Sequence, residues 1–161
     1  MKIFSGVLIS FLLLVMSCTS QMGTTKESGD VTPQTIESVA SESTLLAGSI
    51  SPYYEFTQEE YEKALSENKV ILLYFYANWC PICRAEAPTI HEGFNSLTTD
   101  KVIGFRVNFK DSDTDKDEEK LAKDFKIPYQ HTKVILKDGK RVGKFPDSWD
   151  KQRYLDELAK I

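Results

Sequence analysis

Apolar and polar residues follow two different periods along this chain. Val70 to Ala77 is continuously apolar and rich in strand formers, the pattern of a buried strand. From Pro81 the spacing turns helical and continues to about Leu97, with Pro88 inside that helix as an expected kink. Upstream, Tyr53 to Phe56 reads as a short strand. Thr57 and Glu60 then form a capping box, with Phe56 and Tyr61 as a hydrophobic staple, for a helix to about Glu67. Val102 to Phe109 alternates as a strand. The charged run Lys110 to Glu119 reads as a solvated loop and first helical turn, because the glycine and terminal glutamate of a calcium loop are missing. Leu121, Ala122 and Phe125 continue an amphipathic helix. Thr132 to Leu136 and Arg141 to Phe145 flank Lys137-Asp138-Gly139-Lys140, a hairpin turn signal. Asp147 or Ser148 is expected to cap a last helix whose apolar residues Trp149, Tyr154, Leu155, Leu158 and Ile161 mostly share one face.

The N-terminal part follows neither period. Lys2 precedes an apolar stretch, Ile3 to Met16, that is short for a membrane span and ends in Val15-Met16-Ser17-Cys18. This looks like a bacterial lipoprotein signal over residues 1–17, cut before a lipidated Cys18. That implies an exported chain held in the cell envelope as a membrane-anchored lipoprotein, periplasmic or extracytoplasmic. Residues 18–51 are rich in Ser, Thr, Glu and Gln and read as a flexible tether. Within it, Thr44-Leu45-Leu46-Ala47 is expected to form no more than a transient helix. Residues 52–161 are enough for one domain with its own core.

The formal charge of −4 comes with no basic stripe, glycine-rich phosphate loop or repeat, which argues against nucleic-acid and nucleotide partners. Chemistry concentrates instead in Trp79-Cys80-Pro81-Ile82-Cys83, at the junction of the buried strand and the following helix. A helix N-terminus presents unpaired N–H groups and partial positive charge, which stabilise a thiolate on the first cysteine. Three-residue spacing on a helical turn places both sulfurs on one face, close enough to bridge. Pro81 suits the first helical position, where its missing N–H costs no hydrogen bond. The motif therefore reads as a reversible dithiol/disulfide couple that needs no other cofactor. Two alternatives stay open: half of a metal site completed by His91, His131 or carboxylates, and a structural disulfide closing a loop too short to constrain the unfolded chain much.

The element order β-α-β-α-β-α-β-β-α, with the dithiol after an inner strand, resembles the thioredoxin fold, an α/β architecture with a central mixed β-sheet flanked by helices. Trp79-Cys80-x-x-Cys83 with Pro88 five residues on carries the resemblance. Cys83-Arg84-Ala85-Glu86-Ala87-Pro88 looks in addition like the membrane-tethered ResA and TlpA group of extracytoplasmic thiol reductases, without an obvious counterpart of their larger central insertion. The resemblance implies a thiol:disulfide oxidoreductase acting on protein thiols and disulfides and recycled by a membrane redox partner. Cys80 would be the exposed nucleophile and Cys83 the buried resolving thiol. Trp79, Pro81 and Ile82 would border the substrate.

Two positions depart from thioredoxin. Tyr74 stands where a buried aspartate takes the resolving cysteine's proton, and a tyrosine is a poor base at neutral pH. Glu86, matching a glutamate of the ResA-like proteins, is the expected replacement. His131 stands where the family's cis-proline faces the dithiol, so Gln130-His131 is expected to be an ordinary trans bond offering backbone groups to a substrate peptide. Its imidazole is expected either to stabilise the Cys80 thiolate, to complete a Cys80-Cys83-His131 metal site, or to face solvent. A metal-binding or metal-delivery module built on those three side chains is the rival reading, and His91 is expected to be exposed.

Overall fold

The computed structural model describes residues 43–161, so the expected signal segment and Cys18 lie outside the described residues. The strands are β1 (Leu45–Ala47), β2 (Tyr53–Glu55), β3 (Val70–Tyr76), β4 (Val102–Asn108), β5 (Thr132–Lys137) and β6 (Lys140–Phe145). The helices are α1 (Gln58–Ser66), α2 (Pro81–Ser96), α3 (Lys116–Asp124) and α4 (Lys151–Ala159). One sheet takes the order β1-β2-β4-β3-β5-β6. β4 runs parallel to β2 and β3, whereas β1, β5 and β6 pair antiparallel with their neighbours.

β3 reads as unbroken apolar sequence because both its faces are covered. Leu72 and Tyr74 point into a core shared with Cys83, Ile90 and Phe94 of α2 and Tyr154 and Leu158 of α4. Ile71, Leu73 and Phe75 point into a second core with Tyr61 and Ala64 of α1 and Leu121 and Ala122 of α3. The side chain of Thr57 accepts from the Glu60 N–H, and Phe56 packs on Tyr61 with ring centroids 5.8 Å apart, as the staple requires. At the β5–β6 turn Asp138 and Gly139 both have positive φ, 51° and 69°, the geometry of a two-residue hairpin. The central strands approach α2 closely at Gly104, where a Cβ would lie 2.4 Å from Phe94 and 2.6 Å from Tyr53.

Three expectations are corrected. Leu45–Ala47 is neither helix nor tether but a strand pairing with β2, so the sheet begins before Pro52. Gly48 N–H donates to Asn95 Oδ1 at 2.8 Å and the buried Ser51 hydroxyl donates to the Thr99 carbonyl, which fasten this segment to the end of α2 and the loop after it. The last helix is capped by Asp150, whose carboxylate accepts the Arg153 N–H at 2.8 Å; Asp147 and Ser148 precede it. His91 is half-buried, its ring 5.8 Å from that of Tyr53.

Candidate active site

The two cysteines sit where β3 hands over to α2. Cys80 is the N-cap and Pro81 opens the helix, so the missing proline N–H falls where no acceptor is available. Cys80 Sγ accepts the Cys83 N–H at 3.2 Å, placing sulfur in the positive field of the first turn. Both thiols are free. This capping bond turns Cys80 inward: the residue is 2 % exposed, so the expectation of an exposed nucleophile is corrected. Burial, reinforced by Cys80, pushes the Cys83 thiol up to about 11 against the opposing pull of the Ala77 backbone and the Tyr74 hydroxyl. Cys83 therefore rests as a protonated thiol at neutral pH.

Beneath the pair lies a buried polar network centred on Glu86. Its Oε1 receives Lys133 Nζ at 2.7 Å, the Trp149 N–H at 2.9 Å and the Tyr154 hydroxyl at 2.6 Å. Its Oε2 faces His131 Nδ1 at 3.1 Å and the Tyr74 hydroxyl at 3.4 Å. A carboxylate this enclosed is stable only because donors surround it. Both oxygens are engaged, and none of these partners is a cysteine sulfur. Burial raises the Tyr74 and Tyr154 hydroxyls far above their ordinary value, with the Glu86 charge adding to it, so both remain neutral donors.

His131 joins this network from the segment just before β5. Its N–H donates to the Phe75 carbonyl at 2.6 Å, and its backbone takes φ +71°, a left-handed conformation uncommon outside glycine. Nδ1 lies 3.1 Å from the Tyr74 hydroxyl and Nε2 lies 2.9 Å from Ser148 Oγ. Neither the solvent-facing ring nor the metal-ligand arrangement expected from sequence is found. The residue is buried with both ring nitrogens engaged, and among the described residues no three His, Cys, Asp or Glu side chains are grouped to hold a metal ion. Burial lowers its pKa, Lys133 lowers it further, and Glu86 and Asp147 oppose them.

The rim is apolar and exposed. Trp79 is 51 % exposed, so it is not core packing; its indole N–H donates to the Lys110 carbonyl at 3.0 Å, fixing the ring as a plate beside the dithiol. Pro81, Ile82 and Tyr129 are also exposed, and Gln130 is half-buried. The acidic run after β4 holds this rim: Asp111 Oδ2 accepts the Asn78 N–H at 2.8 Å, and Asn78 Nδ2 donates to Ser112 at 3.0 Å and Asp113 at 3.2 Å.

Lys133, Tyr154 and Ser148 are components that the sequence reading did not single out. Lys133 left a signal, a lone cation inside Thr132-Lys133-Val134-Ile135-Leu136, paired with Tyr74 across the β3–β5 ladder. Its Nζ lies 5.0 Å over the Tyr74 ring and 5.6 Å over Trp149, and it also donates to the Asp147 carbonyl at 2.8 Å. Tyr154 and Ser148 were expected only as an apolar position of the last helix and a candidate cap, because nothing local marks either as part of a buried polar network.

With this geometry in view, the chain can be set beside known proteins. The thioredoxin family profile matches residues 52–160. A thiol:disulfide interchange protein DsbE of Pasteurella multocida is 31 % identical over 133 residues, covering 83 % of this chain and 67 % of that protein. A thioredoxin of Mycobacterium tuberculosis is 30 % identical over 97 residues, covering 60 % of this chain and 78 % of the relative. Among solved structures, an N21Q mutant thioredoxin of Halobacterium salinarum superposes with a TM-score of 0.53 at 26 % identity, covering 70 % of this chain and 95 % of that one.

Proposed function

The chain belongs to the thioredoxin family, and from that premise we propose that it is a membrane-anchored, extracytoplasmic thiol:disulfide oxidoreductase that exchanges disulfides with protein thiols through Cys80 and Cys83, with reduction favoured. The observation that carries this is the dithiol itself. Two free cysteines cap and enter α2, the first sulfur accepting the N–H of the second residue, beside the exposed Trp79 and Ile82. The DsbE-type relatives support an enzyme acting on protein thiols. In the cycle, a Cys80 thiolate attacks a substrate disulfide and forms a mixed disulfide. Cys83 then attacks Cys80 Sγ, closing the Cys80–Cys83 bond and releasing the substrate sulfur as a thiolate.

Reduction is favoured by the likeness of Cys83-Arg84-Ala85-Glu86-Ala87-Pro88 to the extracytoplasmic thiol reductases. A membrane electron donor would regenerate the dithiol. His131, at the position before β5, would stand in for the family's cis-proline. Together with Gln130 it would offer backbone to the substrate. The sequence pattern around Cys18 supports a lipid anchor; among the described residues no helix is long and apolar enough to cross a membrane.

The test is reduction of insulin disulfides by the purified chain and its variants. Cys80→Ser should abolish turnover, and Cys83→Ser should stop at a mixed disulfide visible on a non-reducing gel. Undiminished turnover in Cys80→Ser would overturn the reading. Partition of the expressed chain into detergent, lost in Cys18→Ser, tests the anchor separately.

A further inference from the structure

Ser148 is exposed in the segment before α4, yet its hydroxyl meets a buried ring. His131 Nε2 lies 2.9 Å from Ser148 Oγ, and at the other side of the imidazole Nδ1 lies 3.1 Å from Glu86 Oε2. The thiol chemistry proposed above uses neither the Ser148 hydroxyl nor the imidazole. Glu86 fixes which ring nitrogen carries the proton. A carboxylate oxygen only accepts, so the proton sits on Nδ1 and points at Oε2. The Tyr74 hydroxyl donates to the same Oε2 at 3.4 Å, and its oxygen, 3.1 Å from Nδ1, faces the same N–H. In the neutral ring Nε2 is then an open lone pair, to which the Ser148 O–H donates.

We propose that Ser148, His131 and Glu86 form an acyl-transfer site, in which the Ser148 hydroxyl takes an acyl group from a small carboxylic ester and passes it to water. A nucleophile, a base within hydrogen-bond reach of it and a buried carboxylate that orients the base are the parts such a site needs, recognised by geometry and roles. Ser148 Oγ attacks the acyl carbon as its proton moves to Nε2. The bond from that carbon to the alcohol oxygen breaks, and the alcohol leaves with the proton from Nε2, so acyl-Ser148 remains. Water then attacks the acyl carbon and gives a proton to Nε2. The Ser148 oxygen takes that proton as its bond to the acyl carbon breaks, and a carboxylic acid departs. No redox change is involved. The imidazolium formed in each half has Glu86 Oε2 against Nδ1, which stabilises its charge.

The surroundings suit these roles. The groups facing the imidazole are Tyr74 from β3, Glu86 from α2, Lys133 from β5, and Asp147 with Ser148 from the segment before α4. Burial and Lys133 hold the ring neutral and able to accept a proton. Lys133 pairs with the other carboxylate oxygen, Oε1, which leaves Oε2 to the imidazole, so Glu86 is a positioning residue. The left-handed backbone at His131 is secured by the 2.6 Å bond from its N–H to the Phe75 carbonyl and sets the ring between Glu86 and Ser148. Among the described residues the Ser148 N–H has no acceptor, so it is free to donate to the oxyanion that forms on the carbon attacked by its own Oγ. Ser148 stands in water, which supplies the second half of the reaction.

The experiment follows nitrophenolate release from p-nitrophenyl acetate from pH 5 to 9, and locates the acetyl group by peptide mass spectrometry. The full chain carries Cys80→Ala and Cys83→Ala, which remove the competing thiols. Acetyl should appear on Ser148, and Ser148→Ala, a surface change, should reduce release to the background of the lysines. His131→Gly, which suits the positive φ, should acetylate Ser148 roughly 100-fold more slowly, the scale of one lost general-base contribution. The rate should rise with pH and level off above a midpoint below 6.5, the side to which burial and Lys133 move His131. Glu86→Gln keeps an acceptor for Nδ1 but removes the charge, so it should lower that midpoint further, a shift that a merely structural glutamate would not produce. Acetyl confined to lysines, or reaching Ser148 equally fast in His131→Gly, overturns the site. Release unchanged in Ser148→Ala overturns it as well, whether or not His131→Gly folds. The thiol function stands apart from these outcomes, since both cysteines are absent.

Discussion

Lys133 and Glu86 form an ion pair, Nζ to Oε1 2.7 Å, in which neither side chain reaches solvent to any useful extent. The strand β5 and the helix α2 are thus tied together under the dithiol by two charges that would be costly to bury separately. Glu86→Ala leaves Lys133 charged and unpaired, and should destabilise the protein by about 3–5 kcal/mol. Glu86→Leu combined with Lys133→Met, which replaces both charges with apolar groups, should cost less than Glu86→Ala alone. Urea unfolding of wild type and the two variants checks this, and a double variant that loses as much stability as Glu86→Ala, or more, would overturn it.

Trp79→Ala should leave stability within about 0.5 kcal/mol of wild type, since half of the side chain is already in water. Its effect should appear as a KM for insulin raised roughly tenfold, about 1.4 kcal/mol, with kcat little changed. Equal losses in kcat would place the indole in the chemistry instead of at the partner surface.

Glu118 gives the acidic run its own pH dependence. Its carboxylate accepts the Asn108 N–H at 2.7 Å and the Asp115 N–H at 3.0 Å, yet burial raises its pKa to about 7. Between the ordinary 4.5 and 7 the folded chain binds more protons at this site than the unfolded chain, so this contribution to stability falls as pH rises through that window. The loss should reach up to about 3 kcal/mol by pH 8 and be absent in Glu118→Gln. Thermal melts of both proteins from pH 4.5 to 8 measure the difference.

Gly104→Ala should destabilise by about 1–3 kcal/mol, because its methyl group would meet Phe94 and Tyr53 inside van der Waals distance. These rings stack with centroids 5.0 Å apart, and near-ultraviolet circular dichroism should report their displacement along with the lowered midpoint in urea.

Much of this fold could be read in the chain. The apolar run of β3, the cap and staple of α1 and the Asp138-Gly139 turn are local signals, and each element follows from a handful of neighbouring residues. What escaped reading depends on distant partners. Leu45–Ala47 is too short and too poor in β-branched residues to declare itself; it becomes a strand because β2 offers an edge. Cys80 and Cys83 stood out by spacing, but the burial of Cys80 follows from a capping bond that spacing does not reveal. Glu86, Lys133, His131, Tyr74 and Tyr154 come from α2, β5, the segment before it, β3 and α4. No window of sequence contains more than a part of that network.

The outer strand β6 has a consequence for the molecule among its neighbours. It exposes Lys140, Arg141 and Lys144 on one margin of the sheet, and the opposite margin is the three-residue β1. Two molecules aligning their β6 margins would confront cation with cation, and β1 is too short to template a long ladder. A crowded population of these domains therefore resists growing into continuous cross-molecular sheets.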